Sequence, residues 1–203
     1  MDHINDQVNK AYRTLGIIKI KFTHLDINSF VLLYKAMVRP HLEYANSVWW
    51  LYKKGDIEII EKVQKRATKL IISLKKLSYV ERLKQLQLPT LKYRHLRGDM
   101  IEVFKIVHNY YDSKAAVKLN FNTFNTTRGN MYKLQKFMCH YNIRKYSFCA
   151  RVVNIWNSFP NAVVEANTVN AFKYRLDKHW SNQDILFNFN TDLTGTGSVP
   201  ICR

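Results

Sequence analysis

The stretch DIEIIEKVQKRATKLIISLKK, residues 56–76, constrains the fold more than any other part of the chain. At about 100° per residue, Ile60, Val63, Ala67, Leu70, Ile71 and Leu74 fall within roughly a third of the circumference of a helix. Lys62, Lys65, Arg66, Lys69 and Lys76 fall on the opposite side. Such a helix buries one face and leaves the other as a row of cations. Asp56, Glu58 and Glu61 stand near its start, and Lys75 and Lys76 near its end, as the helix dipole favours. The cationic face has two open readings, a solvated surface or a polyanion-binding one.

The same periodicity recurs elsewhere. Ile4, Val8, Ala11, Leu15, Ile18 and Phe22 predict a first helix with one buried stripe, capped by Asp2 and slightly weakened by Gly16. A second starts near Asp26, with Ile27, Phe30, Val31, Tyr34, Met37 and Val38 on one side. Pro40 lacks an amide donor and crowds the preceding turn, which predicts a kink or break there. The run HLEYANSVWW carries the apolar face on into Trp49 and Trp50. Ser78 and Glu81 have capping-box spacing. Leu96, Met100, Val103, Phe104, Val107 and Tyr111 form a clean stripe over residues 91–111. Lys92, Arg94 and Arg97 lie near the start of that helix, where cations oppose the dipole. Either something other than helix stability places them there, or their long stems cover apolar surface.

Residues 112–130 are rich in Asn, Thr and Gly and aperiodic, so a loop is expected. Residues 131–148 hold no helical period, and their short alternating pieces predict a hairpin or extended arms. Phe148, Val152, Ile155 and Phe159 resume helical spacing up to Pro160. Thr168 caps a last helix carrying Val169, Phe172, Leu176 and Trp180. The polar tail 181–203 is expected to be disordered. The expected class is mainly α: a helical bundle over 1–111, the 112–130 loop, and a basic module over 131–180 with room for a β-hairpin and two or three further helices.

The 203 residues include 32 Lys plus Arg against 15 Asp plus Glu, a formal net charge of +17. That balance speaks to partners and not to fold: nucleic acid first, an anionic membrane surface second. No Asp or Glu occurs between Asp112 and Glu165, an interval that holds Lys114, Lys118, Arg128, Lys133, Lys136, Arg144, Lys145 and Arg151. Folded surfaces normally mix signs, so this gap is the strongest compositional signal. Tyr132, Tyr141, Tyr146 and Phe148 alternate with its cations, which suits phosphate neutralisation and base stacking; any single ring also suits a core. Trp156, Phe172 and Trp180 read as core.

Chemistry beyond binding is poorly supplied. Two-metal phosphoryl transfer needs clustered carboxylates. Asp99 and Glu102 stand apart from other acids, and their simplest role is ion pairing. Cys139, His140 and Cys149 lack zinc-site spacing, and Gly195 and Gly197 form no phosphate loop. No catalytic residue, metal ligand or cofactor site is expected. The N-terminal MDHINDQVNK is polar, no apolar run spans a bilayer, and the three cysteines form no C-x-x-C pair. An intracellular protein with reduced thiols, nuclear or cytoplasmic, is the expectation.

Several motifs, in order, carry a resemblance. LYKAMVRPHLEYANSVWW, DIEIIEKVQKRATKLI, SYVERLKQLQLPTLKYRHLRGDMIEVFKIVH, TTRGNMYKL and RVVNIWNSFPNAVVEANTVNAFKYRLDKHW resemble the C-terminal part of jockey-like non-LTR (LINE) retrotransposon reverse transcriptases. The likeness covers residues 2–180, with WNSFP and FKYRLD its most specific pieces. Phe159 stands where the family more often has Leu, and Trp50-Leu51 where a Trp-x-Pro-Tyr loop is usual. The resemblance implies a thumb-like helical module up to about residue 110, of the kind that grips template–product duplex in RNA-directed DNA polymerases. It implies a further module around Thr127-Arg128-Gly129 and residues 144–180 that holds element RNA or target DNA. It also implies that magnesium chemistry belongs to a palm this chain lacks, and that the palm is a partner within a longer protein. The candidate contacts are Lys62, Lys65, Arg66, Lys69, Arg128, Lys133, Arg144, Lys145 and Arg151. The alternative is a truncated or repurposed helical protein whose basic surface meets an acidic protein or an anionic membrane.

Overall fold

The computed structural model describes residues 2–22, 24–48, 53–112, 114, 116–122, 131–136, 138 and 141–196. The side chain of Asp2, together with Trp49, Trp50, Thr127, Arg128, Gly129, Cys139, His140, Gly197 and Cys202, lies outside them. The chain is mainly helical, and its contacts divide it into two units. The first comprises Met1–Asn46, Leu51–His95 and Asp184–Asp192; the second comprises Ser47–Trp50, Leu96–Gln183 and Leu193–Arg203. This division differs from the boundary expected after residue 111.

In the first unit, α1 (Asp2–Lys21) buries Val8, Ala11, Leu15 and Ile18, the stripe its spacing marks. Asp26 caps α2 (Ile27–Leu33), accepting from the amides of Asn28 at 3.0 Å and Ser29 at 3.1 Å. The irregularity expected at Pro40 takes the form of a π-helical stretch, Tyr34–Val38, before α3 (Arg39–Glu43). There the Arg39 amide reaches back to the Tyr34 carbonyl. The wider turn makes room for a ring that has no N–H to give.

The helix expected over 56–76 is shorter. α4 runs Lys54–Thr68, and its exit tightens, the Leu70 amide bonding the Ala67 carbonyl at 3.0 Å. Ile71 is then extended, and Ile72–Leu74 forms a separate 3-10 turn. Buried Arg82 explains the break. Its Nε donates to Thr68 Oγ1 at 3.0 Å and a terminal nitrogen donates to the Leu77 carbonyl at 2.6 Å, tying the chain back on itself. α5 (Tyr79–Leu86) opens on the full Ser78–Glu81 capping box and closes on Gln87 at φ 49°. α6 spans Leu91–Val107, not 91–111, because Asn109 adopts the left-handed conformation (φ 55°) that Asn tolerates better than most residues. The expected disordered tail is ordered over 184–192. Ile185 is buried in a 3-10 turn, and Thr90 donates its amide to Leu186 O at 2.9 Å and its hydroxyl to Ile185 O at 2.6 Å.

The second unit has an aromatic core. Phe104 stacks on Phe172 at 4.4 Å between ring centres, and Phe159 packs against Trp180 at 5.5 Å. Around it lie the one-turn α7 (Asn142–Lys145), α8 (Phe148–Asn157), the one-turn α9 (Asn161–Val164) and α10 (Val169–His179), which Thr168 caps through the Ala171 amide. The β-hairpin is not found. Among the described residues there is no strand, and Phe121 and Leu134 make an isolated antiparallel bridge. The Asn122 amide donates to the Lys133 carbonyl and the Gln135 amide to the Asn120 carbonyl, both at 2.8 Å, and side chains hold the other edge of the segment. Asn157 accepts from the Leu134 amide at 2.8 Å and donates to its carbonyl at 2.7 Å, while the Trp156 indole N–H donates to the Tyr132 carbonyl at 2.9 Å. The Trp-Asn pair of WNSFP is thus a clip on the extended segment before α7.

Candidate nucleic-acid interface

On α4 the buried stripe and the cationic face separate as the periodicity demands. Ile60, Val63 and Ala67 are buried, while Lys62, Arg66 and Lys69, spaced i, i+4 and i+7, are exposed along one line. Among the described residues none of these three pairs with a carboxylate. Arg66 lies over the Tyr12 ring of α1 at 5.5 Å, which fixes the guanidinium as a flat cationic surface. Lys65 leaves the row. It is half-buried, with its ammonium 4.3 Å from the centre of the Phe189 ring and 5.3 Å from that of Tyr79.

Glu61 is the larger departure. Its expected part in the helix dipole gives way to full burial. The carboxylate accepts the Tyr79 hydroxyl at 2.5 Å and the Lys92 amide at 3.2 Å, so a side chain of α4 caps α6. Burial raises its pKa, and the hydrogen bonds from Tyr79 and the first amides of α6 offset part of that rise. Tyr79 is pushed well above its ordinary value by burial and then by the Glu61 charge, so it stays protonated and donates. Gln64 extends the network, accepting from the buried Tyr34 hydroxyl at 2.6 Å and donating to the Pro89 carbonyl at 3.0 Å.

The cations that oppose the α6 dipole all have partners. Lys92 donates to the Phe189 and Thr191 carbonyls at 3.3 and 2.7 Å and to Asp192 at 2.5 Å. Arg94 grips Glu43 with two nitrogens, and Arg97 grips Asp177 at 2.6 and 2.8 Å. They are structural cations.

In the second unit the expected contacts disperse. Arg144 is exposed; Lys145 is half-buried, 5.9 Å over the Tyr146 ring; Lys133 is half-buried on the clipped segment. Arg128 lies outside the described residues. Arg151 is committed to the interior. Its Nε and a terminal nitrogen bind both Asp99 oxygens at 2.8 and 3.0 Å, and it also reaches the Tyr146 and Ser47 carbonyls at 3.3 and 3.2 Å. With side-chain exposures of 7% for Arg151 and 2% for Asp99, the pair is withheld from any surface ligand. Glu102 meets Lys105 at 3.5 Å and the Tyr111 hydroxyl at 3.1 Å. Among the described residues no group of three acids, histidines or cysteines is placed to hold a metal ion. Cys149 is a free thiol. No helix among the described residues is long and apolar enough to cross a membrane.

The sequence did not point to one further feature, a cavity of about 410 Å³ lined by His108, Tyr110, Tyr132, Glu165, Ala166 and Asn167. The available signal was Glu165 itself, the acid that ends the acid-free interval. Comparison with known proteins finds no matching family model, no matching curated protein and no matching solved structure.

Proposed function

We propose that the chain is a non-catalytic nucleic-acid-binding segment, of the kind that grips duplex or element RNA at the C-terminal side of a non-LTR reverse transcriptase. The observation that carries this reading is the exposed row of Lys62 and Arg66 on α4 and Lys69 at its C-cap, none of which pairs with a carboxylate among the described residues. Cations one turn apart neutralise successive phosphates without reading bases. The net charge of +17 and the motif resemblance support the same class of partner. The palm, with its magnesium, belongs to the proposal as the neighbouring element of a longer protein.

The test is fluorescence anisotropy with a labelled RNA–DNA hybrid, duplex DNA and single strands across a salt series. Replacing Lys62, Arg66 and Lys69 by Gln weakens binding and makes the log–log salt slope shallower by about 0.9 for each duplex phosphate no longer neutralised. The unfolding midpoint stays where it is, because exposed substitutions shift stability by no more than about 0.5 kcal/mol. An unchanged affinity refutes the choice of face.

One observation favours a second reading. On α1, Ile17 and Ile20 are 56% and 78% exposed beside exposed Lys19 and Lys21. An apolar strip flanked by cations suits an acidic protein or an anionic membrane. Binding to vesicles that depends on acidic lipid, without binding to any nucleic acid, selects it.

A further inference from the structure

The cavity in the second unit has walls held in place from behind. His108 Nε2 lies 3.0 Å from the Val164 carbonyl. A carbonyl only accepts, so Nε2 carries the proton. The imidazole rests on Phe104 at 4.2 Å between centres, and the Tyr132 ring lies 4.6 Å away at 36°. Tyr132 is pinned in turn by the Trp156 bond to its carbonyl. Tyr110, 51% exposed, also lines it. Buried Ala166 adds a small apolar contact, and Glu165 and Asn167 are exposed on either side of it. The volume falls within the ~300–1,000 Å³ of small-ligand sites.

Glu165 supplies the carboxylate of the cavity, and among the described residues no cation pairs with it. Ring faces next to an accept-only carboxylate call for a flat ligand with adjacent donors on one edge. Among the nucleobases guanine alone presents two neighbouring donors, N1–H and the N2 amine, on its Watson–Crick edge. Adenine and cytosine pair one donor with an acceptor there, and uracil sets one donor between two acceptors.

We propose that this cavity takes one unpaired guanine of a single-stranded segment, its ring against Tyr132, which His108 backs, and its N1–H and N2 amine on the Glu165 carboxylate. The Asn167 amide donates to O6. The inference deepens the nucleic-acid reading and rests on it. It adds a base-selective site to an otherwise sequence-blind surface.

The test uses the full chain and labelled oligouridylates with a single central guanine, inosine or adenine. Inosine keeps N1–H and O6 but lacks the N2 amine. The expected result is a preference for guanine over inosine of roughly ten-fold or more, the scale of one hydrogen bond to a charged group. Glu165→Ala, an exposed substitution that removes the acceptors, brings the guanine and inosine affinities together and leaves the adenine oligonucleotide bound as before. Equal binding of guanine and inosine by the parent, or a preference that survives Glu165→Ala, overturns the pocket while leaving the nucleic-acid reading standing. Failure of every oligonucleotide, hybrid and duplex to bind overturns both.

Discussion

Arg151 separates a structural cation from a binding one, and replacing it by Ala tests the separation. The guanidinium makes two short bonds to Asp99 and reaches two carbonyls, and the ion pair is almost wholly buried. Removing it leaves a carboxylate in the interior without its counter-ion. Breaking a buried pair from one side costs about 3–5 kcal/mol. With a urea slope of about 1–3 kcal/mol per molar, the midpoint drops by roughly 1–5 M. The double variant Asp99→Ala with Arg151→Ala removes both charges and is expected to be no less stable than Arg151→Ala alone, a coupling that a double-mutant cycle reads directly. The pH dependence has a defined sign. Burial, its largest influence, already raises the Asp99 pKa above 3.8, and Arg151 opposes that rise. Without Arg151 the folded pKa climbs further. Between the unfolded and folded values the native state keeps a proton that the unfolded state releases, so stability is lost as pH rises through that window. The deficit of Arg151→Ala is therefore smallest in acid and grows toward neutrality. A midpoint close to the parent's, combined with weakened nucleic-acid binding, refutes the reasoning and returns Arg151 to the interface.

Two other substitutions probe the joints of each unit. Asn157→Ala removes both bonds to the Leu134 backbone, costs about 1–3 kcal/mol, and speeds hydrogen exchange at the Leu134 amide; an unchanged exchange rate counts against the clip. Tyr79→Phe takes a donor from the buried Glu61 carboxylate and costs about 1.5–3 kcal/mol in urea unfolding at neutral pH. Because burial raises the Glu61 pKa above 4.5, stability falls as pH rises from that value through the folded pKa. Glu61→Gln flattens this part of the profile, and a profile identical to the parent's refutes the assignment.

Much of the fold was legible because one physical demand, a buried stripe, repeats along the chain. The stripes of α1 and α4, the helix start near Asp26 and the caps at Ser78 and Thr168 need only neighbours in sequence. Helix ends were legible less often. α4 stops where Arg82, fourteen residues on, takes the Thr68 hydroxyl, and α6 stops on a left-handed Asn109 that nothing in its stripe announces. The extended segment before α7 resisted reading for a related reason. Its backbone pairing with residues 120–122 is a single bridge, and its other edge is held by the side chains of Trp156 and Asn157, so no long alternating pattern needed to appear twice.

The candidate site was legible only where cations are unopposed in space, and sequence density of acids is a poor guide to that. Arg151 lies inside the acid-free interval, yet its partner Asp99 sits 52 residues earlier. Lys92, Arg94 and Arg97 have acids in three distant segments: Asp192, Glu43 and Asp177. Among the described residues five carboxylates, Glu43, Asp99, Glu102, Asp177 and Asp192, are engaged in ion pairs, most of them with a residue of α6. None of the five reaches Lys62 and Arg66 of α4 or Lys69 at its C-cap, although the local sequence is not short of acids: Asp56 and Glu61 are buried, and exposed Glu58, one turn before Lys62, forms no ion pair. Glu165 likewise has no ion-pair partner among the described residues, and it lines a cavity. One ligand, anionic along its backbone and rich in donors at a base edge, meets the proposals for both the α4 row and that cavity.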